Sequence, residues 1–173
     1  MISNIMIIDD SPIDRKVIRK IIEKRLADIQ VFEAEDGLKL NESLVCHGIH
    51  MCILDILMPI KDGFQVLQDM KKDSYLADIP VIVCTGIEDR KAIEQALILG
   101  AYDYFSKPLS EEAMKISLPL KVKNAIELMK KSQGISYLSY HDVLTGLYNR
   151  RFYEEEIDRI NVKKKSSYFH YYG

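Results

Sequence analysis

Five side chains with chemical potential stand at the ends of short apolar runs. Asp9 and Asp10 follow "NIMII", Asp55 closes "MCILD", Thr85 follows "PVIVC", and Lys107 lies two residues beyond "YDYF". Carboxylates gathered at one place repel one another and are costly without a cation. A hard oxygen cage suits Mg²⁺, which is usually held by one or two protein carboxylates and several waters. Such an ion would in turn hold a phosphate. A carboxylate such as Asp55 can attack phosphorus, because Asp and Glu form acyl phosphates. Lys107 is a compact positive charge suited to phosphoryl oxygens, and Thr85 offers a hydroxyl. An aspartate at one strand end is most often a solvated turn residue. Five such groups together, at the ends of four of the five strands, are a different matter.

The runs that carry these residues read as strands 4–8, 29–33, 51–55, 80–84 and 102–105. Most are rich in Ile and Val, as in strands buried on both faces. Helical stretches separate them. Ser11 and Pro12 mark an N-cap and first helical position, followed by the apolar stripe Val17, Ile18, Ile21 and Ile22. Further helices are expected after Gly37, after Gly63, and from about 88 to 99. In the last of these, Ala92, Ile93, Ala96 and Leu97 are expected to face inward, with Gly100 as the stop. Strand–helix alternation at this spacing gives an α/β fold, a parallel sheet wrapped by helices with right-handed crossovers. Sites in such sheets lie at the carboxyl ends of the strands, where the five residues converge. After Pro108 the texture changes. Ser117 can cap a helix with Pro119 in its first turn. Leu118, Val122, Ile126 and Met129 form its stripe.

Composition narrows the class. The 173 residues are 47% hydrophobic and 29% charged, enough for one domain and an appendage. Residues 1–118 hold 14 basic and 20 acidic side chains, and 119–173 hold 10 and 6. An acidic front argues against a nucleic-acid surface. No apolar run approaches the roughly 18–20 residues of a membrane span, so no membrane partner is expected. "MISNIMIIDD" lacks the basic start and cleavage site of a signal peptide, so a cytoplasmic protein is expected. The three cysteines, Cys46, Cys52 and Cys84, do not form a disulfide framework. "CHGIHMC" gathers Cys46, His47, His50 and Cys52, but Cys52 lies in a strand-like run and the spacing fits no standard zinc site.

The stretches "IIDDSP", "ILDILMPIKDG", "VIVCTG" and "GAYDYFSKP" resemble the receiver domain of two-component response regulators, over residues 1–131. The resemblance implies a flavodoxin-like, doubly wound five-stranded sheet of order 2-1-3-4-5 with an extended C-terminal helix. It implies that Asp55 is the phosphoacceptor. Mg²⁺ would be held by Asp9, Asp10, Asp55 and the backbone carbonyl of Leu57. Thr85 would be the switch hydroxyl, Tyr104 the switch aromatic and Lys107 the phosphate partner. Pro59 and Gly63 would shape the loop after Asp55. The implied partner is a sensor histidine kinase or phosphotransfer protein, and the implied output is a phosphorylation-dependent homodimer. A phosphorylation-independent adaptor is the alternative. A haloacid-dehalogenase-like enzyme would need D-x-D after the first strand, and a flavin protein would need a Ser/Thr-rich phosphate loop there. "DDSPID" is neither.

Residues 132–141 read as a helical linker. "HDVLTGLYNRRFYEEEI" (141–157) then resembles the opening of a GGDEF domain, the diguanylate cyclase fold. The match rests on Asp142, Leu144, Thr145, Gly146, Leu147, Asn149 and Arg150. The GGDEF loop and nucleotide pocket are absent, so 142–173 reads as an incomplete stub. The expectation is no enzyme activity in this chain. Cyclase activity is expected in an intact longer parent.

Overall fold

A computed structural model describes residues 2–38, 40–86, 90–107 and 112–140, together with Leu147 and Ile157. Five strands alternate with five helices among these residues: β1 (Ser3–Ile8), α1 (Pro12–Arg25), β2 (Ile29–Ala34), α2 (Leu40–Cys46), β3 (Met51–Asp55), α3 (Gly63–Lys72), β4 (Val81–Thr85), α4 (Arg90–Ile98), β5 (Asp103–Ser106) and α5 (Glu112–Tyr140). The strands are parallel, in the order β2-β1-β3-β4-β5. That is the doubly wound order expected from the sequence.

The pleat explains the layering. Successive residues of a strand face opposite sides. Ile5, Ile7, Ile53 and Ile82 pack with Ile18 and Ile22 of α1 and with Leu118, Val122 and Ala125 of α5. Met6, Ile8, Leu54 and Val83 pack on the other face with Leu44 of α2, Val66, Leu67 and Met70 of α3, and Ala96 of α4. Every residue of β3 and β4 is buried. Burying one such side chain stabilises by about 1.5–3 kcal/mol. A core of this size tolerates a costly polar cluster at one rim.

Local signals set the helix ends. Ser11 Oγ accepts from the Asp14 amide at 3.2 Å, and Pro12 opens α1. Asp62 and Gln65 form a reciprocal capping box at α3. Gly100, at φ 95°, closes α4: its amide donates to the Leu97 carbonyl, and that of Ala101 donates to Ala96.

Two expectations fail. Ser117 caps nothing, because α5 already runs from Glu112 and Pro119 lies inside it. An internal proline loses one helix hydrogen bond and costs about 3 kcal/mol. Met114, Leu118 and Val122, spaced by four on both sides of Pro119, are all buried, and that burial carries the helix through. In α4 only Ala96 is fully buried, and Leu97 points outward. Ala92 and Ile93 are half-buried. A single narrow ridge of this short helix meets the sheet.

The chain divides into two compact units, Met1–Met129 and Lys130–Gly173. α5 continues through Gly134 to Tyr140. Of the GGDEF-like motif residues only Leu147 lies within the described residues.

Candidate functional site

Each strand delivers its chemical group by ending where it does. The Asp9 amide donates to the Ala34 carbonyl at 3.2 Å, so the β1–β2 ladder runs one residue past Ile8. This turns the Asp9 carboxylate inward and leaves Asp10 exposed. Asp55 is the last residue of β3 and Thr85 the last of β4, and both are buried. The Lys107 amide donates to the Thr85 carbonyl at 2.8 Å, extending the β4–β5 pairing and aiming the lysine at the rim.

The lysine ammonium sits among three carboxylates. Lys107 Nζ lies 3.0 Å from Asp9 Oδ2, 3.0 Å from Asp55 Oδ2 and 2.7 Å from Asp14 Oδ2. Backbone donors hold the other carboxylate oxygens of Asp9 and Asp55. The Ser11 amide donates to Asp9 Oδ1 at 2.9 Å, and the Leu57 amide donates to Asp55 Oδ1 at 3.3 Å. Arg15 Nη1 donates to the Asp9 carbonyl at 2.6 Å and so ties the β1–α1 turn to α1.

Gly63 fixes the loop after Asp55. Its amide donates to the Ile56 carbonyl at 3.0 Å. A Cβ at this position would lie 2.3 Å from the Asp55 carbonyl oxygen and 2.8 Å from Ile56 Cα. Any side chain there must push the start of α3 away from the end of β3. In the same loop Ile60 holds φ at 70°, a conformation that β-branched residues rarely adopt.

The charges are unevenly balanced. Burial pushes the Asp9 carboxyl up from its ordinary 3.8, against the pull of Lys107 and the Ser11 amide. Burial also disfavours the charge on Lys107, but the hydrogen bonds it donates to Asp14, Asp9 and Asp55 outweigh it and push the lysine above its ordinary 10.5. Asp9, Asp14 and Asp55 thus share one cation.

One oxygen from each of Asp9, Asp10 and Asp55 lies within 4.8 Å of the other two. Ligand oxygens of octahedral Mg²⁺ at about 2.1 Å are separated by about 3.0 Å (adjacent) and 4.2 Å (opposite). Oxygens held within 4.8 Å of one another lie close to that spacing, so the residues fit the ion. Leu57 lies two residues along the same loop. No other group of three or more metal-ligating side chains occurs among the described residues. In "CHGIHMC", His50 Nδ1 accepts from the Asn4 amide, His47 Nδ1 pairs with the Ser43 carbonyl, and Cys52 is buried. These are structural roles.

The structure gathers Asp9, Asp10, Asp55, Thr85 and Lys107 at one rim, as the sequence predicts. Tyr104 stands apart, with its partly exposed ring 5.6 Å from the Lys121 ammonium. Sequence reasoning missed Asp14. Its one signal was an acid in the first turn of α1, which reads equally well as a favourable helix-end charge.

A doubly wound parallel sheet with clustered aspartates and a lysine at its carboxyl rim defines the class of protein. Residues 5–118 match the model of the response regulator receiver domain, and the chain belongs to that family. It is 32% identical over 158 residues to response regulator RR06 of Streptococcus pneumoniae, covering 90% of this chain and 67% of that one. It is 31% identical over 162 residues to the probable transcriptional regulator ycf27 of Guillardia theta, covering 92% of this chain and 58% of that one. A solved response regulator receiver domain protein of Clostridium thermocellum matches with a TM-score of 0.64 at 26% identity, over 75% of this chain and 98% of that one. No helix among the described residues is long and apolar enough to cross a membrane.

Proposed function

We propose that this chain accepts a phosphoryl group on Asp55 from a histidine kinase or phosphotransfer protein in the cytoplasm. The supporting observation is the setting of that carboxylate, buried at the end of β3, 3.0 Å from the Lys107 ammonium and beside Asp9 and Asp10. Asp55 attacks phosphorus, its oxygen forms the new P–O bond, and the P–N bond to the donor imidazole breaks. The leaving nitrogen keeps the electron pair. Asp9, Asp10, Asp55 and the Leu57 carbonyl would hold Mg²⁺, which would supply charge neutralisation at the phosphoryl oxygens. Lys107 pairs with one phosphoryl oxygen and Thr85 donates its hydroxyl to another. A phosphoryl group brings nearly two negative charges, and this local change biases the packing around Thr85 and Tyr104. Self-association is the output.

The 173 residues contain no GGDEF run. The chain itself is proposed to act as a switch, and cyclase activity is proposed only for a longer parent, on the resemblance of residues 142–150. The test is mass in solution by light scattering, with Mg²⁺ alone and with Mg²⁺ plus beryllofluoride. The wild type is expected to shift from monomer to dimer and Asp55→Asn to stay monomeric. An equal shift in both proteins rules out Asp55 as the acceptor.

A further inference from the structure

The Lys107 ammonium has three N–H donors, and three carboxylates surround it within 3.0 Å. A phosphoryl oxygen arriving on Asp55 gains a hydrogen bond from Lys107 only if one present partner lets go. The three partners are not equally bound. The side chains of Asp9 and Asp55 are 1% and 4% exposed, whereas that of Asp14 is 28% exposed. A buried carboxylate that loses its cation is left without compensation, but an exposed one is taken up by water. Asp14 has a second resting place as well. It sits in the first turn of α1, beside the positive end of the helix.

We propose that Asp14 is a positioning residue that competes with the phosphoryl group for the ammonium of Lys107. Without a phosphoryl group, Asp14 holds the lysine in the site at 2.7 Å. When the phosphoryl group arrives, Lys107 exchanges Asp14 for a phosphoryl oxygen and keeps its two buried partners. Asp14 thereby weakens retention of the phosphoryl group and resets the site when that group leaves. This inference rests on Asp55 being the acceptor.

The experiment measures beryllofluoride affinity at saturating Mg²⁺, by calorimetry on the full chain. Wild type, Asp14→Asn, Asp14→Ala and Asp55→Asn are compared, with folding verified by circular dichroism. Removing the competing charge is expected to tighten beryllofluoride binding by about two- to fivefold in both Asp14 variants. Damage to the site would weaken binding instead, so the sign separates the two. In a Lys107→Met background Asp14→Asn is expected to have no effect. Without metal, the same Asp14/Lys107 cycle in urea unfolding is expected to show a non-zero coupling. Unchanged or weaker binding in the Asp14 variants of a wild type that does bind overturns the role of Asp14 alone. Equal binding by wild type and Asp55→Asn, or no binding by the wild type, overturns the acceptor reading beneath it.

Discussion

Replacing Lys107 by methionine keeps most of the apolar stem of the side chain and removes the only cation that the buried carboxylates touch among the described contacts. At 3.0 Å and an effective dielectric of about 20, each unit-charge pair is worth about 5–6 kcal/mol before desolvation. Desolvation offsets most of that. Removing one partner of a buried charged cluster nets about 3–5 kcal/mol, because the remaining charges stay buried and unpaired. The Lys107 side chain is 21% exposed, so water reaches the gap and the low end applies. The expected loss is about 3 kcal/mol, or about 10 °C in Tm for a unit of this size. The assay is urea unfolding followed by far-UV circular dichroism at pH 7 with EDTA. Lys121→Met is the control. Lys121 pairs with Asp103 at 2.5 Å, with both side chains near 30% exposed, and its loss should cost less than about 1 kcal/mol. Adding Mg²⁺ should return much of the stability of Lys107→Met. Lowering the pH should do the same, because burial already favours the protonated form of Asp9. If Lys107→Met proves no more damaging than Lys121→Met, the electrostatic account of the site is refuted.

Gly63→Ala should destabilise by about 2 kcal/mol in urea unfolding, because the new methyl meets backbone atoms that cannot move aside cheaply. The same variant should weaken beryllofluoride binding, since the clash falls on the Asp55 carbonyl. Ile60→Gly should stabilise by about 1 kcal/mol by relieving the positive φ of an exposed residue. An unchanged or lower urea midpoint would count against strain at that position. Burial alone would raise the Glu33 carboxyl, but Arg19 at 2.6 Å and Arg15 at 3.3 Å outweigh it and hold it below its ordinary 4.5. Its folded pKa is therefore depressed, and the stability it contributes is present above pH 4.5 and is lost as the pH falls through the folded value. Glu33→Gln should accordingly cost about 0.5 kcal/mol at neutral pH, discounted for exposure. The difference in Tm from the wild type should close in acid, and a gap independent of pH would contradict the sign.

Sequence by itself determined the sheet, its helices and the rim residues. Runs such as "MCILD" and "PVIVC" are apolar without alternation, which only strands covered on both faces require. The residue that ends each run then sits at the carboxyl edge by necessity, so the sequence alone places Asp55 and Thr85 there. Caps acted just as locally: Ser11 with Pro12, and Gly100, set helix ends through neighbours in the chain. Tertiary structure decided what depends on distant partners. Pro119 reads as a helix start, yet buried Met114 and Leu118 carry α5 through it. Leu97 has the spacing of an inward residue, yet the short α4 offers the sheet a single ridge. Asp14 pairs with Lys107 across 93 residues of sequence, because α1 and the β5 terminus meet at one rim. Side-chain type and spacing report what a residue can do. The fold alone sets which charges come within 3 Å and which are shielded from water, and those two quantities govern the energetics of this site.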